Sequence, residues 1–184
     1  MRGLADDRRP RIAHSRSLSV AVRKGTVDLA ADYRSLMAEF PTGVAIVTAA
    51  ESEGRPRGMT CSSLCSLSIA PPTLLVCLRN ESPTLESVTN SASFVVNLLH
   101  DGSREIAELF SSGDPARFDK VRWTGGPAGP HLAEHAHALA GCSVRGLLNE
   151  GTHTIVLGEV VYARRLSDRA PLLYGRRHYL AWPE

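Results

Sequence analysis

The chain has 184 residues, 43% hydrophobic and 22% charged, which suits one folded unit with a sizeable core rather than a disordered or fibrous protein. Its net charge of +2 is unevenly placed: residues 1–28 are net +4 and residues 29–184 are net −2, so no nucleic-acid footprint is expected on the folded part. No apolar run reaches the ~20 residues of a membrane helix, so no membrane role is expected.

The basic leader, residues 1–28, has neither a continuous apolar stretch nor an A-x-A site, and reads as a disordered tail rather than a secretion signal. Cys61, Cys65, Cys77 and Cys142 form no CxxC pair, which points to reduced thiols and a cytoplasmic protein.

Asp28 can cap a helix running to about Phe40, with Leu29, Tyr33, Leu36, Met37 and Phe40 along one apolar face. Pro41 ends it, and Thr42-Gly43 make a turn. "VAIVTAA" from Val44 is short, β-branched and almost wholly apolar, the pattern of a buried strand. After the polar turn "ESEGRPRG", strands are expected at residues 58–68, 73–78 and 93–99. Ser82 with Pro83 behind it starts a short helix, and Ser103 starts another, "REIAELFSS", closed by Gly113. Residues 114–138, rich in Gly, Pro and His, form a long surface excursion, a type of segment that is often functional. Strands resume at 140–148, a turn follows at Asn149-Glu150-Gly151, and "HTIVLGEVVYARRL" makes one long strand. A last hairpin runs through residues 171–180. Strands this closely spaced, with few helices, predict a mainly β fold: a barrel with peripheral helices, in a single domain over 29–184.

The run "GMTCSSLCSLSIAPP" at 58–72 places hydroxyls inside a strand. If the strand is unbroken, Thr60, Ser62, Ser66 and Ser68 share one face. Such a face buries little apolar area. It is either the lining for a polar, planar ligand or a solvent-exposed strand face. His131, His135 and His137 have one helical i,i+4 pair but no further ligand at a recognised interval, so no metal site is expected.

Six blocks in order carry a resemblance: "MAEFPTGVAIVTA" (37–49), "GMTCSSLCSLSIAPPTLLVCL" (58–78), "SPTLESVTNSASFVVNLL" (82–99), "AELFSSGDPARFDKVRW" (107–123), "EGTHTIVLGEVVYA" (150–163) and "PLLYGRRHY" (171–179). Together they resemble the flavin reductase-like family, the FMN-binding split barrels, and most of all its short-chain NAD(P)H:flavin oxidoreductases. The resemblance implies a Greek-key split β-barrel. It implies a homodimer with flavin, FAD or FMN, at the subunit seam, and NADH, or NADPH, as hydride donor. Reduced flavin would leave for a partner flavin-dependent monooxygenase. The Arg- and Ala-rich composition suits a GC-rich source, in which antibiotic biosynthesis or aromatic degradation is a natural setting. The cofactor-binding positions implied are Thr42, Gly58, Met59, Thr60, Cys61, Ser62, Ser63, Leu78, Arg79, Ser82, Pro83, Thr84 and Phe110. For the nicotinamide they are His153, Tyr174, Arg177 and Tyr179. The family's Gly-Asp-His motif is Gly151-Thr152-His153 here, so the usual acid is replaced. No side chain is expected to act as catalyst, because hydride passes directly between the cofactors. No Rossmann G-x-G-x-x-G follows a strand, so the groove itself would hold the dinucleotide; without a clear basic pocket for a 2′-phosphate, NADH is favoured. The alternative from another class is a non-catalytic flavin carrier or sensor on the same barrel.

Overall fold

The computed structural model describes residues 12–14 and 28–183. The expectation for the tail lies mostly outside the described residues; within it, β1 (Ile12–His14) pairs parallel to a later strand at Leu147–Asn149. Helix α1 (Leu29–Ala38) starts where Asp28 Oδ1 accepts from the Ala31 N–H at 3.1 Å, as its N-cap sequence predicts. Its apolar face is not packed on the chain: Leu29, Tyr33, Leu36 and Phe40 are all at least 60% exposed.

Thr42–Gly43, expected as a turn, form a short strand, β2, and β3 (Ala45–Ala50) follows. The predicted strand at 58–68 is broken in two: β4 (Pro56–Cys61) and β5 (Cys65–Ile69), with a further register shift between Ser66 and Ser68. The hydroxyls at 60, 62, 66 and 68 therefore share no common face. Continuing are β6 (Pro72–Arg79), α2 (Pro83–Ser91), β7 (Ser93–Leu99), α3 (Arg104–Ser111), β8 (Ala136–Glu150), β9 (His153–Arg165), β10 (Leu172–Gly175) and β11 (His178–Ala181).

The main sheet runs β4-β3-β7-β8-β9-β6-β5, and β11-β10-β2 form a second, small sheet. β4 and β5 are consecutive in sequence yet stand at opposite ends of the main sheet, which therefore curls into a barrel with an open seam. Ser63, between them, bridges that seam: its hydroxyl donates to the Cys77 carbonyl and accepts the Cys77 N–H, both at 3.1 Å. The break at 62–64 is thus the corner where the chain crosses from one edge of the sheet to the other.

Val47, Val76, Phe94, Val96, Cys142 and Val156 pack together inside the barrel. A second cluster joins Ile46, Leu99, Phe110, Phe118, Leu132 and Leu172 between the sheet and α3. β3 feeds both clusters, and that is why its sequence is apolar at every position but Thr48, whose hydroxyl donates to the Pro130 carbonyl. Gly158 lies where Phe94 fills the barrel; a Cβ there would come within 2.5 Å of the Phe94 ring. The 114–135 excursion is not wholly on the surface. Buried Asn97 accepts the Leu132 N–H at 2.9 Å, and Phe118, Ala128 and Leu132 close over the core. Ser103 precedes α3 but does not cap it with its hydroxyl, which instead donates to the His135 carbonyl at 2.9 Å.

Candidate functional site

A groove of about 330 Å³ forms where the β4 end, the β6 end, the start of α2 and the end of α3 converge. Met59 and Thr60 come from β4, Arg79 from β6, Ser82 and Pro83 from the α2 start, Phe110 and Ser111 from α3. Thr60 is held by its own hydroxyl, which donates to the Ala107 carbonyl of α3 at 2.7 Å. Ser82 accepts the Thr84 N–H at 3.1 Å as the α2 cap, and its O–H lies 3.3 Å from Met59 Sδ. A helix start places partial positive charge here, and Arg79 adds a full one.

Arg117, from the turn at Arg117–Lys120, is the wall that sequence reasoning missed. Its Nε donates to the Asp114 carbonyl at 2.7 Å, and its Nη1 donates to the Gly58 carbonyl at 2.9 Å and the Phe110 carbonyl at 3.3 Å. Burial pulls its pKa below the ordinary arginine value, with nearby Asp114 opposing and Arg57 adding to the effect. Nothing local marks this arginine. Its contact with Gly58 spans 59 positions and exists only once α3 has packed on β4.

A smaller hollow adjoins through Arg79 and Glu81, with Asn80, Gly151 and Thr152 on its other side. His153 opens β9 directly opposite Arg79 in the β6–β9 register. It is exposed, and its Nδ1 lies 2.9 Å from the Thr152 hydroxyl, which takes the place of a carboxylate beside the ring. A hydroxyl can donate or accept, so unlike a carboxylate it does not dictate which ring nitrogen holds the proton.

The remaining expected residues sort by burial. Thr42 and Ser62 lie on a separate, mostly apolar hollow of about 410 Å³ with Phe40, Leu64, Leu98 and Leu172. Cys61, Leu78 and Thr84 are buried at 5%, 0% and 3% exposure, so their side chains pack inward and only their backbone is near the groove. Gly58 lies buried under Phe110, 3.2 Å from the ring to a built Cβ. Ser63 belongs to the seam. Tyr174 and Tyr179 lie with ring centroids 5.0 Å apart and pack on the Phe110–Phe118 cluster, with Arg104 over Tyr179; Arg177 occupies the exposed turn beside them. The four nicotinamide candidates thus fall in two places: His153 beside Arg79, and the other three at the β10–β11 hairpin.

Of His131, His135 and His137, the last lies in β8, and His131 Nε2 lies 2.7 Å from the Tyr162 hydroxyl, tying the excursion to β9. Burial lowers the pKa of His131, His135 and His137 below the ordinary histidine value.

Residues 37–183 match the family described as the flavin reductase like domain. The chain belongs to the flavin reductase-like family. Within that family it is 51% identical over 162 residues to a flavin reductase (NADPH) of Lentzea aerocolonigenes, covering 87% of this chain and 94% of the relative. It is 40% identical over 170 residues to a flavin reductase (NADH) of Kitasatospora aureofaciens, covering 91% and 88%. Among solved structures it is similar to the NADH:FAD oxidoreductase SgcE6 of Streptomyces globisporus C-1027 in complex with NAD and FAD fragments, with a TM-score of 0.77, 33% identity, and coverage of 84% of this chain and 93% of that one. The fold is that of this flavin reductase family, a mainly β barrel open along one seam.

Proposed function

We propose that this flavin reductase-like chain is an NAD(P)H-dependent flavin reductase that releases reduced flavin to a partner monooxygenase. The observation that carries the reading is the groove between β4, α2 and α3. Its Met59 and Pro83 offer apolar surface to a flat ring system, and Arg79 and Arg117 stand ready for a phosphate ester. A phosphorylated aromatic heterocycle fits that donor set. When both substrates are bound, the nicotinamide supplies hydride to the flavin. The chain's part is to hold the rings, orient them and keep water away; hydride transfer between the cofactors needs no acid–base pair from the chain. Backbone at Gly58–Cys61 borders the flavin. His153 contacts the nicotinamide, with Tyr174, Arg177 and Tyr179 reaching it from a second subunit.

The exposed apolar face of α1, together with Leu180 and Trp182, supports a homodimer. Four free cysteines support a cytoplasmic location. The two relatives above are named for different dinucleotides, so the donor is decided by comparing both.

The test is steady-state oxidation of NADH and NADPH with FAD, FMN and riboflavin in turn, with light scattering for the oligomer. Turnover that depends on added flavin is expected. Flavin binding without any turnover would mean a carrier or sensor instead.

A further inference from the structure

We infer that Arg117, with Arg79 on the same groove, reads the phosphate ester of the flavin and so sets the preference for phosphorylated flavin over riboflavin. This rests on the groove being the flavin site. Arg117 is preformed for the task. A guanidinium carries five N–H donors in a plane. Three of them are spent on the carbonyls of Asp114, Gly58 and Phe110, which fix the plane but bring no net charge. Among the described residues, no carbonyl or carboxylate takes the two donors on Nη2. Asp114, the acid whose charge acts on Arg117, is committed elsewhere: one oxygen accepts from Lys120 Nζ at 2.6 Å and the other from the Ala116 N–H at 2.8 Å. Lys120 holds the Asp114 carboxyl below its usual pKa, so it stays ionised and paired.

What remains is a half-buried cation, held by three carbonyls, in no ion pair among the described residues and with the two diverging donors of Nη2 free. A phosphate ester answers both deficits, since it brings negative charge and accepts a charge-assisted hydrogen bond from Nη2. Arg79 is different in kind. It is exposed, at the mouth, and shared with the hollow beside His153. The fixed arginine gives selectivity, and the exposed one gives attraction from solution.

The flavin and the dinucleotide both carry phosphate, so the experiment separates them. Arg117→Met and Arg117→Lys are compared with wild type using riboflavin, FMN and FAD at saturating donor, and using the donor at saturating riboflavin. Equilibrium binding of FMN and riboflavin is followed in parallel by quenching of flavin fluorescence. In Arg117→Met the FMN-to-riboflavin ratio of KM, and of Kd, rises roughly 10- to 100-fold, and Arg117→Lys recovers part of it. In wild type, added salt weakens FMN more than riboflavin. Equal losses for FMN and riboflavin would reduce Arg117 to an anchor between α3 and β4 and overturn the assignment. So would a rise confined to the KM of the donor. Absence of turnover in wild type would sink the flavin reductase reading alone, because the binding ratio still tests Arg117. If Arg117→Met fails to fold, the same FMN-to-riboflavin ratio is read in Arg117→Lys, where a ratio unchanged from wild type overturns the assignment.

Discussion

Thr154 donates its hydroxyl to Asn80 Oδ1 at 2.9 Å, across the tip of the β6–β9 pair. The other end of the same amide donates to the Gly151 carbonyl at 3.1 Å, and the Asn80 N–H donates to the Thr152 carbonyl at 3.1 Å. One asparagine thus grips the turn on both sides of His153. Asn80→Ala removes two side-chain hydrogen bonds and leaves the nearly buried Thr154 hydroxyl without its acceptor, at a cost of about 1–3 kcal/mol. The KM of the nicotinamide donor is expected to rise more than that of the flavin. Thermal unfolding and the two KM values check this; equal rises in both would show that Asn80 acts on the whole groove.

The β10–β11 turn places Arg176 at φ 50° and Arg177 at φ 64°. Two left-handed residues are what a tight hairpin requires, and Asn-Gly is the pair that meets the requirement at least cost. Arginine there stores strain. Arg177→Gly is expected to raise stability by about 1 kcal/mol or less, while weakening the donor if Arg177 touches it. A denaturant midpoint moving upward, with a higher KM for the dinucleotide, is the expected pair of results. A variant less stable than wild type would contradict the strain argument.

The seam makes a prediction about thiols. Cys65 is exposed, Cys61 is buried behind Ser63, and burial pushes the Cys142 thiol up to about 12. Alkylation should mark Cys65 first and Cys142 last, since the thiolate is the nucleophile. Ser63→Ala strips the Cys77 amide and carbonyl of their partner and costs about 1 kcal/mol. Mass spectrometry should then find Cys61 modified faster than in wild type.

Stability should fall in mild acid. Burial depresses the pKa of His131, His135 and His137 in the folded chain. The unfolded chain, titrating near ~6.5, then binds more protons than the folded one as pH drops, so stability rises with pH through this window and is fully present above the ordinary histidine value. Melting temperature recorded from neutral pH downward should decline, and the double replacement of His135 and His137 by Gln should flatten part of the slope. An unchanged slope would place the acid sensitivity elsewhere.

Local pattern was enough for most elements. Asp28 and Ser82 start helices because a cap needs only one side chain and the next few amides. The β9 run is legible because its alternation and length leave little else. The hydroxyl run was misread as one strand because nothing in "CSSLCS" says that the chain must cross from one edge of a sheet to the other. That need arises only when the sheet curls.

The sequence by itself determined the class of fold, the order of nearly every strand and helix, and, through six separated blocks, the family. Those properties rest on side-chain type, period and neighbours in the chain, all of which are local. Only the tertiary structure decided which groups face a ligand. It buried Cys61, Leu78 and Thr84, assigned Ser63 to the seam, divided His153 from Tyr174 and Tyr179, and brought Arg117 to Gly58. The reason is that a side chain's partners across a barrel are set by sheet closure and helix docking, and contacts between distant positions leave no periodic trace in the chain.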